Sequence, residues 1–149
     1  MAAGTITLNG KTYTKRHQII PWEQTISAAG VVPATLTLPG IAMFLLRGLS
    51  RDVVAAGAPV TNRRFRFKFG NSDGNNWYMA NPVAGTTGAA TFTDRVVDTA
   101  VFGSGQFLYV LDPPIPYGAS ASIRMEFEDI TNSFPYTIFI GFHGCWLLP

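Results

Sequence analysis

The alternation of apolar and polar residues along this chain predicts strands rather than helices. Two alternating runs, Thr5–Leu8 and Lys11–Thr14, flank an Asn-Gly dipeptide, which favours a two-residue type I′ turn. Pairing across this turn places Ile6, Leu8 and Tyr13 on one face and threonines on the other. Because an isolated hairpin is marginally stable in water, we expect its apolar face to rest on the domain's own sheet or on a neighbouring subunit.

Two further strands carry charges of opposite sign. Arg63–Phe69 alternates three phenylalanines with a polar face that we call the basic face. The basic face comprises Arg64, Arg66 and Lys68. Ser120–Asp129 alternates Ala121, Ile123, Met125 and Phe127 with Ser122, Arg124, Glu126 and Glu128. If the two strands are neighbours, the glutamates are natural partners for the basic face.

The remaining segments are weaker strand candidates and connections. Ile41–Val54 and Tyr136–His143 are apolar on both faces, as central strands are, although a short helix is the alternative for Ile41–Val54. Lys15–Pro39 contains three prolines and indicates an extended connector with a short strand near Ala34–Leu38. Proline-rich Asp112–Gly118 cannot form a helix or a central strand, so we expect a rigid connection. Further predictions are a turn at Asn71–Asn76, a return strand at Trp77–Met79, a loop at Pro82–Gly88, and strands at Thr91–Val97 and Gln106–Leu111.

These elements predict an all-β protein. No run of ten residues has convincing helical periodicity, and about eight short strands alternate with turn signals. We therefore expect a single antiparallel β-sandwich, jelly-roll-like, over residues 40–149. Residues 1–39 are expected to form an N-terminal β-hairpin arm and its extended connector.

The composition narrows the class of protein. Charged residues make up 13% of the 149 residues, against about 25% in typical soluble domains. With 47% hydrophobic residues the chain is too apolar for intrinsic disorder, and its longest apolar run is too short for a transmembrane helix. The single cysteine, Cys145, is expected to be a small buried hydrophobe. The first residues lack the pattern of a signal peptide, so we expect folding in the cytoplasm.

Charge is unevenly distributed along the chain. Nine basic residues but only Glu23 and Asp52 precede Phe69, whereas seven acidic residues but only Arg95 and Arg124 follow it. This asymmetry indicates either a polyanionic partner or basic and acidic strands that pair. A nucleic-acid platform is disfavoured, because the phenylalanines lie on the face opposite the basic one and stacking needs both together.

Groups that could carry catalysis are scarce. The histidines, His17 and His143, lie in no recognisable catalytic motif, and Glu126 with Glu128 is better explained as an ion-paired strand face than as a glycosidase pair. Asn71–Asn76 lacks the spacing of a calcium loop. We expect no enzymatic activity, catalytic residue, cofactor or metal site.

Apolar residues near the N terminus point to assembly instead. Large subunit interfaces are depleted in lysine, glutamate and aspartate, and an arm with one apolar side suits exchange between subunits. We expect partner contacts from the hairpin and from the connector. These residues are Ile6, Leu8, Tyr13, Ile19, Ile20 and Trp22.

Several features together resemble small structural proteins of tailed-bacteriophage particles. They are the Arg63–Phe69 strand, the Pro113–Gly118 turn before Ser120–Asp129, and the closing Tyr136–Leu148 segment with its glycines. The resemblance covers roughly residues 40–149. It implies a β-sandwich capsid decoration (cement) or head-associated protein, made in the host cytoplasm and located in the virion. Such a protein forms homo-oligomers and binds the major capsid protein or another virion protein, with no membrane partner.

Two other functions stay open. A carbohydrate- or receptor-binding module of a tail or fibre would use exposed aromatic rings, for which Trp77, Tyr78 and Tyr117 are the candidates. Weak phosphate contacts by the basic face would give nucleic-acid binding that falls with added salt.

Overall fold

The computed structural model describes residues 4–71, 77–79, 81–82, 92–102 and 108–149, and it is all-β with antiparallel sheets, one of them curled. The strands in these residues are β1 (Thr5–Leu8), β2 (Lys11–Ile26), β3 (Val31–Thr37), β4 (Met43–Ala55), β5 (Ala58–Pro59), β6 (Phe65–Asn71), β7 (Trp77–Met79), β8 (Asn81–Pro82), β9 (Phe92–Asp94), β10 (Val96–Val97), β11 (Tyr109–Tyr117), β12 (Ser122–Asp129) and β13 (Tyr136–Leu148). One helical turn, α1 (Asp98–Phe102), follows β10.

The N-terminal hairpin has the register that its sequence predicts. Ile6 lies opposite Tyr13, and Leu8 lies opposite Lys11. The two turn residues have positive φ angles of 50° and 76°, as a type I′ turn requires. Asparagine and glycine tolerate these angles, so the turn fixes the register of the hairpin.

The larger sheet has six strands in the order β1-β2-β13-β4-β11, with β5 paired to β4. The prediction that Lys15–Pro39 is mainly a connector is wrong, because β2 continues to Ile26 and pairs with β13 from Thr14 onwards without a register shift. Much of the predicted arm is therefore in the same sheet as the C-terminal strand. The central strands predicted at Ile41–Val54 and Tyr136–His143 are confirmed as β4 and β13, which pair with each other.

Pro21 fits inside β2 because one side of this strand is unpaired there. The Lys15 N–H donates to the Gly4 carbonyl at 2.7 Å, on the side away from β13. Backbone groups alternate in direction along a strand, so odd-numbered residues of β2 direct their N–H positions to this same side. The missing N–H of Pro21 consequently removes no bond from the ladder with β13.

The proline-rich segment Asp112–Gly118 also differs from its prediction as a connection. Most of it belongs to β11, the outermost strand on the other side of the six-stranded sheet. Pairing with β4 is interrupted between Val110 and Ile115, around two consecutive prolines. An edge position tolerates this interruption because no second neighbour needs the missing donors.

The second sheet has five strands in the order β10-β6-β12-β3, with β7 also paired to β6. The basic strand and the acidic strand are thus direct neighbours, which is one of the arrangements that the charge pattern left open. Lys68 lies opposite Glu126, and Arg66 lies opposite Glu128. The short strand expected near Ala34–Leu38 starts earlier, at Val31, and forms one edge of this sheet.

Side chains from both large sheets form one hydrophobic core. The phenylalanines of β6 and Phe127 of β12 are fully buried, and their rings contact one another at centroid distances of 5.2–6.5 Å. The six-stranded sheet contributes Phe44 of β4 and Phe142 of β13 among others, also fully buried. Burial of these large rings supplies a major part of the stability of the fold.

Some predictions lie partly or wholly outside the described residues. These are the turn after Asn71, most of the loop at Pro82–Gly88, and the start of the strand at Gln106–Leu111. The return strand Trp77–Met79 is confirmed as β7. The strand at Thr91–Val97 is found as two short pieces, β9 and β10.

Candidate assembly surface

The N-terminal hairpin extends beyond the sheet that carries it. The last pair between β13 and β2 joins Leu148 to Thr14, so the residues of β2 before Thr14 pair only with β1. In the described part of the chain, none of the hairpin residues belongs to the hydrophobic core or packs on it. We call Thr5–Thr14 the arm. Within the arm, β1 pairs with the first residues of β2. The rest of β2 connects the arm to the six-stranded sheet.

Each face of the arm carries its own kind of side chain. Leu8 is 36% exposed, and Ile6 and Tyr13, which lie opposite each other on the same face, are half-buried. The other face carries threonines, of which Thr7 and Thr12 share a hydrogen bond between their hydroxyls at 3.3 Å. The structure therefore brings together the three arm residues that the sequence nominated.

The other three nominated residues do not form one surface with each other. Because β2 alternates its side chains, Ile20 and Trp22 pack against the core whereas Ile19 lies on the opposite face and is 55% exposed. Ile20 and Trp22 anchor β2 to the domain. Ile19 is separated from Ile20 and Trp22 because neighbouring residues of a strand point to opposite faces.

The face of the six-stranded sheet opposite the core, which we call the outer face, carries exposed apolar residues, and one of them, Phe139, was not a candidate from the sequence. Phe139 on the central strand β13 is 37% exposed, and Ile19 lies on the same face. Phe139 borders a depression of about 380 Å³ that Pro21 and Asp52 also line. Phe139 was read as part of a strand buried on both faces, so its exposure could not be found from the local sequence.

A serine and a histidine are in direct contact on the outer face. Ser50 Oγ and His143 Nε2 share a hydrogen bond of 2.7 Å. Gly141 allows this contact, because a Cβ there would lie 2.6 Å from Ser50 Oγ and 3.1 Å from His143 Nε2. Burial lowers the pKa of His143, which keeps the imidazole neutral at pH 7.

The Ser50–His143 pair joins β4 to β13 and has the contact distance of a nucleophile with its base. Catalysis by such a pair relies on N–H donors aimed at the developing oxyanion. Both residues sit inside paired strands, whose peptide N–H groups lie in the plane of the sheet and serve the ladder. The geometry supports a structural hydrogen bond that joins β4 to β13.

Two members of the basic face form ion pairs with glutamates of the neighbouring strand. Lys68 Nζ lies 3.1 Å from Glu126, and Arg66 lies 3.6 Å from Glu128. Arg95 contacts both glutamates, at 3.0 Å and 3.2 Å. Of the two arrangements that the sequence left open for the basic face, the structure shows pairing with the acidic strand. Arg124 also lies 3.8 Å from Glu126, so four cations share two carboxylates.

The third member of the basic face belongs to a separate buried cluster. Asp98, at the start of α1, is fully buried and pairs with Arg51 at 3.2 Å and with Arg64 at 3.1 Å. Arg51 also lies over the Phe102 ring, with its guanidinium carbon 5.7 Å from the ring centre. This cluster fixes α1 to both large sheets. Nothing in the local sequence marks Asp98 as its centre.

The aromatic residues nominated for carbohydrate binding have different environments. Tyr117 is only 3% exposed and donates a hydrogen bond to the Gly70 carbonyl, and burial raises the pKa of its phenol. Lys68 Nζ lies 4.0 Å from the centre of the Trp77 ring. Tyr78 is 41% exposed. The carbohydrate-binding alternative requires exposed rings, and the burial of Tyr117 removes one of its three candidates.

Other candidate chemistry is sparse in the described ranges. No group of three or more metal-ligating side chains occurs among these residues. Cys145 is buried as predicted, and burial raises the pKa of its thiol. In the part of the chain that the structure describes, no helix has the length and apolarity to cross a membrane.

Comparison with known proteins identifies no relative: no family model, no curated protein and no solved structure matches this chain.

Proposed function

We propose that this chain is a non-enzymatic structural protein of a phage particle, a capsid decoration (cement) protein that oligomerises and binds neighbouring capsid subunits. In this proposal the two large sheets are the layers of one jelly-roll-like β-sandwich. The observation that carries the proposal is the arm, a two-stranded projection that, among the described residues, contributes nothing to the hydrophobic core and does not pack on it.

A projecting hairpin gains stability when a partner covers it. Two strands alone bury too little apolar area to be stable in water. The arm exposes apolar residues on one face and hydroxyl groups on the other, so it offers a partner both kinds of contact. An element of this kind is suited to exchange between subunits.

The outer face and the low charge of the chain agree with repeated contacts. Ile19 and Phe139 are exposed on the same sheet from which the arm extends. A small contact repeated over a lattice gives strong total binding, because each attached subunit raises the effective concentration of its neighbours.

The tail or fibre alternative has less support. A sugar-binding module would need aromatic rings exposed beside one another, and Tyr117 is buried. Tyr78 and Trp77 retain some exposure, so sugar binding through these two residues is the second candidate.

The proposal is tested by removing the arm without disturbing the sheet. A chain that begins at Thr14 keeps every pair between β2 and β13. Its control is a chain that lacks only residues 1–3 and keeps the arm. Both are mixed with virus particles purified from the source that encodes the chain, and binding is measured by co-sedimentation.

We expect the armless chain to bind particles at least about tenfold more weakly than the control, a difference of about 1.4 kcal/mol. Its circular dichroism and melting temperature should stay close to those of the control. Equal binding of the two chains would contradict a role for the arm, and no binding by either would contradict the proposed function.

A further inference from the structure

The outer edges of the two large sheets differ in whether they accept another strand. Within the described ranges, β3 carries Pro33, β11 carries three prolines, and the unpaired side of β2 carries Pro21. Proline on an edge removes a donor that an added strand would need, which blocks pairing. Strand β1 has no proline, and β10 is only two residues long.

The prolines of β2 and β3 direct their missing donors outwards. Pro21 does so by the alternation that the Lys15 bond establishes. In β3, the Leu38 N–H donates to Ala121 of the neighbouring segment at 2.9 Å, so residue 33 has the opposite direction and faces solvent. These edges are therefore closed to an added strand at their centres, whereas β1 is open.

On the side of β1 that faces away from β2, two residues direct both their N–H and their carbonyl groups outwards. Gly4 accepts a bond from Lys15, so Gly4, Ile6 and Leu8 direct their backbone groups to β2. By alternation, Thr5 and Thr7 direct theirs to the open edge. This edge offers two N–H donors and two carbonyl acceptors.

We propose that β1 pairs antiparallel with β1 of a second copy of this chain, across a two-fold axis at Ile6. In this register Thr5 of each copy lies opposite Thr7 of the other. Both N–H donors and both carbonyl acceptors of each edge then form hydrogen bonds. Ile6 lies opposite Ile6 in a non-hydrogen-bonded pair. The proposal deepens the proposed function, because it assigns a partner to the arm.

The side chains agree with this register. A two-fold axis perpendicular to a sheet keeps the same face upwards in both copies, so residues opposite each other must have the same parity. Ile6 and Leu8 of both copies then share one face with the two Tyr13 rings, and the threonines share the other. Registers centred on Thr5 or Thr7 also satisfy parity, but among the described residues of β1 they pair fewer of the outward backbone groups. Self-complementarity of this kind is what a symmetric dimer requires.

The predicted interface is small, and this determines how it is detected. Pairing of two four-residue strands buries well below the roughly 1,200–2,000 Å² of stable interfaces, so the isolated dimer is weak. Disulfide trapping captures such a transient pair. Opposite residues of a non-hydrogen-bonded pair have Cα atoms about 4.5 Å apart, within the range that a disulfide spans.

The test compares Ile6→Cys with Leu8→Cys under mild oxidation. Both residues lie on the same face of the same short strand, outside the core. In the proposed register the two Leu8 positions are about 13 Å apart along the strands, too far for a disulfide. The native Cys145 is fully buried, so the unsubstituted chain serves as the background.

We expect the Ile6→Cys chain to form a covalent dimer at least about tenfold faster than the Leu8→Cys chain. Melting temperatures measured under reducing conditions check that both variants fold. Equal rates, or faster dimer formation by Leu8→Cys, would overturn the proposed pairing.

The outcome is separable from that of the proposed function. Loss of particle binding on arm removal, together with equal trapping rates, would mean that the arm pairs with a shell protein and not with a second copy. Specific trapping at Ile6 without any particle binding would leave the dimer standing and refute the decoration role.

Discussion

Replacement of Phe67 by alanine tests the core between the two large sheets. Phe67 is fully buried, with ring centres of Phe127, Phe69 and Phe65 at 5.2, 5.9 and 6.5 Å. Truncation of a buried phenylalanine to alanine costs about 3–5 kcal/mol, and three lost aromatic contacts place Phe67→Ala in the upper half of that range. At about 2–4 °C per kcal/mol for a domain of this size, we expect a melting temperature lowered by about 8–20 °C.

The matched control is Phe139→Ala, the same substitution on the outer face. Phe139 is 37% exposed in the single chain, so its truncation is expected to cost about 1 kcal/mol. Both variants are measured by thermal denaturation and by urea denaturation at neutral pH. Similar destabilisation by the two substitutions would refute the assignment of Phe67 to the core and of Phe139 to the solvent-exposed outer face.

Three further predictions concern the ion cluster, a glycine and the response to acid. Asp98→Asn should lower the free energy of unfolding by about 3 kcal/mol in urea denaturation, because it removes the charge of a fully buried carboxylate that pairs with Arg51 and Arg64; loss below 1 kcal/mol would contradict this. Gly144→Ala should destabilise by about 1–3 kcal/mol, since its Cβ would meet the backbone oxygen of β4 and a Phe44 ring, whereas Gly118→Ala, with open space around it, should be near neutral in the same assay. Burial acts to raise the pKa of Asp129, but hydrogen bonds from Tyr136 and the following loop outweigh it and hold the pKa below 3.8. The stability that Asp129 contributes is therefore present above that pH and lost as the pH falls through the folded-state pKa, so the melting temperatures of the parent and Asp129→Asn should converge on acidification; a constant difference would refute the linkage.

Local sequence patterns were sufficient to predict a strand and its buried face where the strand has one apolar and one polar face. The phenylalanines of β6 and the apolar residues of β12 were assigned to the core from alternation alone, because a period of two has one structural meaning. The Asn-Gly turn fixed the arm's register for a similar reason, since few residues accept its backbone angles. Complementary charge made the pairing of β6 with β12 one of two alternatives, and the strand order of the sheet decides between them.

The strand β2 was missed because its sequence lacks that alternation. One face of Lys15–Ile26 is largely solvent-exposed, and polar residues such as Gln18 also occur on the other. What makes this segment a strand is the ladder with β13, more than a hundred residues away in sequence, and Gln18 accepts a hydrogen bond from Trp146 across it at 2.8 Å. Contacts of this range are not encoded in a local pattern.

The same reason explains the missed sites. The Asp98 cluster joins residues 34 and 47 positions apart, and only the topology of both sheets brings them together. The contact between Ser50 and His143 depends on the pairing of β4 with β13 and on the small size of Gly141 between them. The arm was foreseen because its turn and its alternating faces are local features.

The central claim is that this chain attaches to a virus shell. The most direct test measures the mass of the purified protein in solution, first alone and then mixed with particles. Analytical ultracentrifugation of the purified protein is followed by the same measurement with particles from the source that encodes it. We predict that the chain moves into the particle fraction and saturates at a fixed number of copies per shell subunit. A chain that stays monomeric and never sediments with the particles, at any concentration, would contradict the claim.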